Sequence, residues 1–152
     1  RVYDLGTGRA VHASNRLLMR ALGTGAFHVA VEVYGVEYSY GYGASGSGVF
    51  ACQPARCEGH RYREEVPLGH TAMTKAEVDR LVETLRREWP GAQYDPLFQN
   101  CCLFCAELSR RLGSGELPPW TTSLSGAGAA LVAGVAHGGR SACSSGAQAA
   151  ED

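Results

Sequence analysis

Between Phe27 and Tyr42 the chain carries the pattern that most restricts its fold. Phe27, Val29, Val31 and Val33 alternate with His28, Ala30 and Glu32. A period of two puts the first set on one face and the second on the other, as in a half-buried strand. Gly35 marks a turn, and residues 36 to 42, rich in tyrosine, read as the returning strand. Such an antiparallel pair is marginal in water on its own and needs more strands or a helix against its apolar face. Residues 2 to 5, 49 to 52 and 62 to 68 supply short strand patterns, and residues 41 to 48 form a glycine- and serine-rich loop.

The helices announce themselves by caps. Ser14 caps a short helix carrying Leu17, Leu18, Ala21 and Leu22 at helical spacing. Thr74 and Glu77 make a capping box, Val78, Leu81, Val82 and Leu85 follow as one apolar stripe, and Pro90-Gly91 stops the helix. A further helix starts at Cys101 with Asn100 as its N-cap. Phe104, Cys105, Leu108 and Leu112 line one face, Gly113 sits at the stop, and Pro118-Pro119 implies an extended exit. The expectation is an α+β fold, a small antiparallel sheet packed against helices.

At 152 residues the chain suits one domain. In residues 125 to 152, nineteen of twenty-eight are Gly, Ala or Ser. That composition predicts a disordered tail, removable without loss of fold, beyond a domain at 1 to 124. Fourteen basic and fifteen acidic residues leave no cationic excess for a nucleic-acid backbone. No run of 18 apolar residues offers a membrane span. The sequence begins at Arg1 with no signal-peptide pattern, which reads as an excerpt.

There are six cysteines: Cys52, Cys57, Cys101, Cys102, Cys105 and Cys143. Three crowd one predicted helix, where a vicinal pair makes a poor bridge, so free thiols in a reducing compartment are expected, in the cytoplasm and also the nucleus. Cys102 and Cys105 spell C-x-x-C without the strand–turn context of a redox motif. A zinc site joining them to Cys52 and Cys57 lacks the compact turn of a zinc knuckle. No metal and no cofactor are expected.

A thiol at a helix N-terminus meets the positive end of the dipole and unpaired amide donors, which favour thiolate. Cys101 holds that position, and a thiolate there can attack a carbonyl while nearby N–H groups hold the oxyanion. Cys102, ~100° around the helix, is the rival nucleophile. Cys105 joins the core face. A histidine must serve as base. His12, His60 and His70 fall in polar loops and His137 in the tail, whereas His28 lies within a strand, where its angle can be fixed. Glu32 is ~13 Å along the strand from His28, too far to orient it. Ser39, Tyr40 or Tyr42 on the returning strand are the candidates for that task.

The segment from Gly25 through His28, Glu32-Val33-Tyr34-Gly35 and on to Gly41 resembles the histidine segment of the PPPDE family, permuted papain-fold peptidases also called DeSI proteins. Asn100-Cys101 followed by Phe104 resembles the family's cysteine motif. Val2-Tyr3-Asp4, Gly48-Val49-Phe50, Leu68-Gly69-His70-Thr71, Tyr94 and Leu117-Pro118-Pro119-Trp120 agree in order, so the resemblance covers residues 2 to 124. It implies a permuted papain-like fold, with Cys101 as nucleophile, His28 as base, and ubiquitin- or SUMO-type modifiers removed from lysine. Cys102 stands where the family motif has a second Asn, and Leu103, Val29-Ala30 and Asp95-Pro96 also depart from the pattern.

The resulting expectation is a Cys101–His28 dyad, with Asn100 as cap and oxyanion candidate. Tyr38, Tyr40, Tyr42 and Trp120 are substrate-groove candidates. Modifier conjugates are the expected partners, and a homodimer is the candidate assembly. A thioesterase using the same dyad, and a modifier-binding module without catalysis, are the alternatives.

Overall fold

The computed structural model describes residues 1–6, 8–10, 13–14, 16–17 and 25–121. Six strands, β1 (Val2–Asp4), β2 (Phe27–Val29), β3 (Val31–Val33), β4 (Val36–Tyr40), β5 (Val49–Cys52) and β6 (Arg61–Glu64), precede two helices, α1 (Lys75–Glu88) and α2 (Cys101–Leu112). The strands form two antiparallel sheets in the orders β2-β1-β6 and β3-β4-β5. The α+β expectation holds.

The alternating stretch at 27 to 33 is two strands, not one. The chain leaves the first sheet after Val29 and joins the second at Val31, with Ala30 as the crossing point. Its first part is covered on both faces, whereas Glu32 on β3 is exposed. His28 is 5% exposed and Ala30 4%. The odd residues face the main core with α2, while Tyr3, Ala30 and Cys57, with Phe50 and Cys52, build a second apolar cluster on the other side. Glu37, fully buried on β4, ties the sheets together. It accepts hydrogen bonds from the Tyr3 hydroxyl, the Ala55 N–H and the Cys52 thiol.

Local signals set the helix ends. Thr74 and Glu77 complete a reciprocal capping box, and Val78, Val82 and Leu85 are buried. Gly113 ends α2 in the left-handed conformation at φ 68°, the αL stop that only glycine adopts without strain. Phe104 and Leu108 have no exposure, so α2 is the helix the core is built around.

Four boundaries differ. β4 ends at Tyr40, and the Gly41 N–H bonds Gly48 O as one last rung before the chain enters the 42–47 loop. β6 runs only from Arg61 to Glu64, where its pairing with β1 ends. Pro118-Pro119 does not continue extended, since residues 119–121 are helical. A proline in a first helical turn lacks only an N–H that would have no partner there. Residues 9, 10 and 14 are already helical, so Ser14 does not cap that segment. Leu18, Ala21, Leu22, the boundary at 124 and the tail lie outside the described residues. Among the described residues no helix is long and apolar enough to cross a membrane.

The loop after β4 is docked onto the end of α1 by two backbone bonds, Gly48 N–H to Trp89 O at 3.0 Å and Gly91 N–H to Gly46 O at 2.9 Å, with the Ser47 hydroxyl also donating to Trp89 O at 3.4 Å. A Cβ at Gly48 would stand 2.6 Å from the Tyr40 ring and 2.8 Å from Gly91 Cα. Backbone cannot yield cheaply, so Gly48→Ala should cost about 2–3 kcal/mol, at the upper end of overpacking penalties. A lowered urea midpoint at unchanged slope checks this.

Candidate active site

α2 packs its first turns against β2, which brings Cys101, the first residue of the helix, to His28, the middle residue of the strand. Both are buried, at 4% and 5% exposure. The other two α2 cysteines each have a backbone carbonyl within reach. Cys102 Sγ donates to Thr121 O at 3.2 Å and Cys105 Sγ to Val29 O at 3.4 Å, the latter pinning α2 to β2.

The electrostatics follow the same division. The neighbouring Cys102 thiol and the His28 imidazole outweigh burial and hold the Cys101 thiol well below the ordinary cysteine range. Burial alone would lower the His28 pKa, but the Cys101 and Cys57 sulfurs override it and push it up to about 9. Cys102 is raised, first by Cys101 and then by burial, and Cys105 is raised by burial. These directions favour a Cys101 thiolate beside a His28 imidazolium, with the other α2 sulfurs as thiols. The helix N-terminus adds its positive end to the same preference.

Asn100 is a full N-cap. Its Oδ1 accepts the N–H groups of Cys102 and Leu103 at 3.0 and 3.1 Å, and its amide donates to Pro96 O at 2.9 Å. Those two N–H groups are thereby engaged, which narrows the expected oxyanion donors. What remains is the Cys101 N–H, which as a first-turn amide has no acceptor within the helix. Tyr94 offers a second donor. Burial, with the nearby Cys101, pushes its hydroxyl up to about 12, so it stays protonated beside the sulfur. Asn100→Ala should cost about 1–2 kcal/mol of stability as a lost cap. By loosening the 96–99 turn beside Cys101 it should also lower kcat/KM about ten- to a hundredfold. Denaturation and steady-state kinetics on one preparation separate the two effects.

His28 is flanked by rings rather than by a carboxylate. His60 stacks on it at 4.3 Å between centroids and 12° between planes, Phe50 lies nearly parallel at 6.0 Å, and Tyr3, its register partner on β1, is tilted at 6.2 Å. Cys57 is buried in the same cluster. His60 Nδ1 accepts the Gly6 N–H at 3.2 Å, and burial, then the charge on His28, lowers its pKa, so it is the neutral member of the pair. His28 Nε2 is itself buried, with no partner of hydrogen-bonding geometry among the described residues.

Ser39, Tyr40 and Tyr42, the residues expected to orient His28, do other things. Ser39 Oγ donates to Val29 O at 2.6 Å, the Tyr40 hydroxyl donates to Pro90 O at 2.8 Å, and Tyr42 is 73% exposed. The His28 ring lies against His60 of the 57–60 loop, so the sequence missed Cys57 and His60. Tyr94 was visible only as a motif position.

A groove of about 210 Å³ opens beside Cys101, lined by Leu5, Phe27, Tyr94, Leu97, Asn100 and Thr121 among others. Tyr38 and Tyr40, expected to line it, are at 9% and 0% exposure and belong to the core. Trp120 stands behind the wall, edge-on to Phe27 at 5.3 Å. Tyr42 does not border this groove.

The model of the family described as "PPPDE putative peptidase domain" matches residues 1–136. A Desumoylating isopeptidase 1 homolog of Caenorhabditis elegans is 32% identical over 108 residues, 68% of this chain and 32% of that protein. A DeSI-like protein of Arabidopsis thaliana is 33% identical over 107 residues, 70% of this chain and 48% of that protein. The DeSI-like protein sdu1 of Schizosaccharomyces pombe is 33% identical over 133 residues, 86% of this chain and 64% of that protein. The chain thus spans about a third to two thirds of the length of these relatives.

Proposed function

Because the chain belongs to the PPPDE peptidase family, we propose that it is a cysteine isopeptidase that releases SUMO-type modifiers from lysine side chains, with Cys101 as nucleophile and His28 as its acid–base partner. The observation that carries the reading is the buried pairing of a helix-N-terminal cysteine with a strand histidine, the thiol lowered and the imidazole raised. The choice of SUMO over ubiquitin rests on the printed name of one relative.

The chemistry runs as acyl transfer. The Cys101 thiolate adds to the isopeptide carbonyl. The Cys101 N–H and the Tyr94 hydroxyl meet the developing oxyanion. His28 passes its proton to the departing lysine amine, and the thioester forms. Water then attacks the thioester with His28 taking its proton, and the modifier leaves with a free carboxylate. The apolar groove walls at Leu5, Phe27 and Leu97 suit the aliphatic part of a lysine side chain.

The test is cleavage of SUMO and ubiquitin each joined by an isopeptide bond to a lysine peptide. The SUMO conjugate should be cut at least about tenfold faster, a difference of about 1.4 kcal/mol in transition-state binding. Equal or reversed rates would reassign the modifier, and cleavage of neither would end the isopeptidase reading. A second reading, hydrolysis of an acyl thioester, draws on the same apolar walls. A fluorogenic acyl thioester turned over faster than either conjugate would favour it.

A further inference from the structure

We infer that His28, Cys57 and His60 form a binding site for a thiophilic divalent cation of the zinc class, and that a cation held there takes His28 away from Cys101. The second half rests on the isopeptidase reading; the site itself does not.

The candidate ligand atoms of these three residues all lie within 4.8 Å of one another. Two imidazoles and one thiol are a donor set that Zn²⁺ and Co²⁺ take in preference to Mg²⁺ or Ca²⁺. The placement is that of a ligand site. Cys57 and His60 come from one loop, three residues apart, and His28 comes from β2, fixed by its register with β1. His28 and Cys57 are both buried, at 5% exposure each, in surroundings otherwise built from Tyr3, Ala30, Phe50 and Cys52. An independent observation points the same way: His28 Nε2 is buried with no hydrogen-bond partner among the described residues. Leaving a buried polar nitrogen in that state is costly, and a cation among these ligands would answer that cost.

Around tetrahedral zinc the donor atoms sit roughly 3.3–3.8 Å apart, so the three side chains must close by about an ångström. His60 is the member able to move. It is half-buried at a loop position, lies flat on His28 at 12°, and gives its Nδ1 to the Gly6 N–H. Coordination requires it to leave that stack or release that amide. Cys57 binds as thiolate and His28 as neutral imidazole, so binding releases both the Cys57 and the His28 proton to solvent. Cys52, adjoining Cys57, donates its thiol hydrogen to Glu37 and lies outside the set. The other set weighed from the sequence, Cys52 and Cys57 with Cys102 and Cys105, is not brought together, because the α2 thiols face Thr121 O and Val29 O.

The experiment titrates the reduced full chain with Co²⁺, followed by its visible d–d bands and the near-ultraviolet thiolate-to-cobalt charge-transfer band. Zn²⁺ competition against a chromophoric chelator then gives stoichiometry and affinity. One ion per chain is expected. His60→Asn should weaken Zn²⁺ binding about a hundredfold or more, beyond the loss of an outer-shell partner. Cys57→Ala should do the same and abolish the charge-transfer band; Cys57→Ser, nearly isosteric, covers the case in which the alanine variant does not fold. Cys101→Ala and Cys52→Ala should keep stoichiometric binding. Bound Zn²⁺ should also slow iodoacetamide alkylation of Cys101 in wild type, a readout independent of isopeptidase activity. No charge-transfer band in wild type, affinity unchanged within about twofold in both Cys57→Ser and His60→Asn, or loss of binding in Cys101→Ala would each overturn the site.

Discussion

Cys101→Ala should abolish labelling by an electrophilic SUMO probe and lower hydrolysis of a SUMO–lysine conjugate by about 10⁴-fold or more, the scale of removing a covalent nucleophile. Cys105→Ala should keep most of the rate, because Cys105 Sγ is fully buried and bonded to Val29 O. Cys102→Ala is the more informative neighbour. Its sulfur donates to Thr121 O and adjoins Cys101, whose thiolate it favours. Its removal should leave the plateau rate largely intact while moving the acidic limb of the pH–rate profile to higher pH. Full activity in Cys101→Ala, or loss in Cys102→Ala equal to that in Cys101→Ala, would move the nucleophile elsewhere.

The contrast among these three cysteines bears on what a sequence can disclose. The N-cap at Asn100, the stop at Gly113 and the capping box at Thr74 and Glu77 are set by residues within one turn of each other, and all were readable. The positions of Cys101 and His28 were readable for the same reason: a helix start and a strand interior are local facts. The surroundings of His28 were not. Alternation at 27 to 33 predicts one strand, but nothing local says that the chain changes sheets at Ala30 or that both faces of its first part are covered. With one face taken as open, His28 was given partners on the returning strand. Its actual neighbours, Cys57 and His60, arrive from a loop about thirty residues later, whose composition reads only as polar. The tyrosines failed similarly. Tyr40 has the look of a groove residue, yet β4 lies between α2 and β5 and turns that ring into the core against Trp89 and Phe104.

The remaining large effect is that of His28 on the charge of Cys101. Burial would lower the His28 pKa, but the two sulfurs raise it to about 9, while Cys101 is lowered. The wild-type alkylation rate of Cys101 by iodoacetamide should therefore be nearly flat from mildly acidic pH to about 9, and kcat/KM should fall on the basic side as His28 loses its proton near 9. The linkage to stability has a definite sign. Between roughly pH 6.5 and 8.5 an unfolded chain holds one proton on the thiol, and the folded pair holds one on the imidazole. The counts match, so the pair contributes no pH slope there. Below that window the unfolded chain gains a second proton, and the contribution of the lowered thiol is lost as pH falls through the folded Cys101 pKa. Above it, the contribution of the raised imidazole is lost as pH rises through about 9. His28→Ala leaves the helix N-terminus but removes the cation. The Cys101 pKa should rise, and alkylation should drop about tenfold for each pH unit below its new value, while recovering at high pH. Hydrolysis, which also needs a proton donor for the lysine amine, should fall about 10³-fold or more at every pH. Superimposable alkylation profiles for wild type and His28→Ala, followed by mass spectrometry at Cys101, would show that the imidazole does not govern this sulfur and would dissolve the dyad.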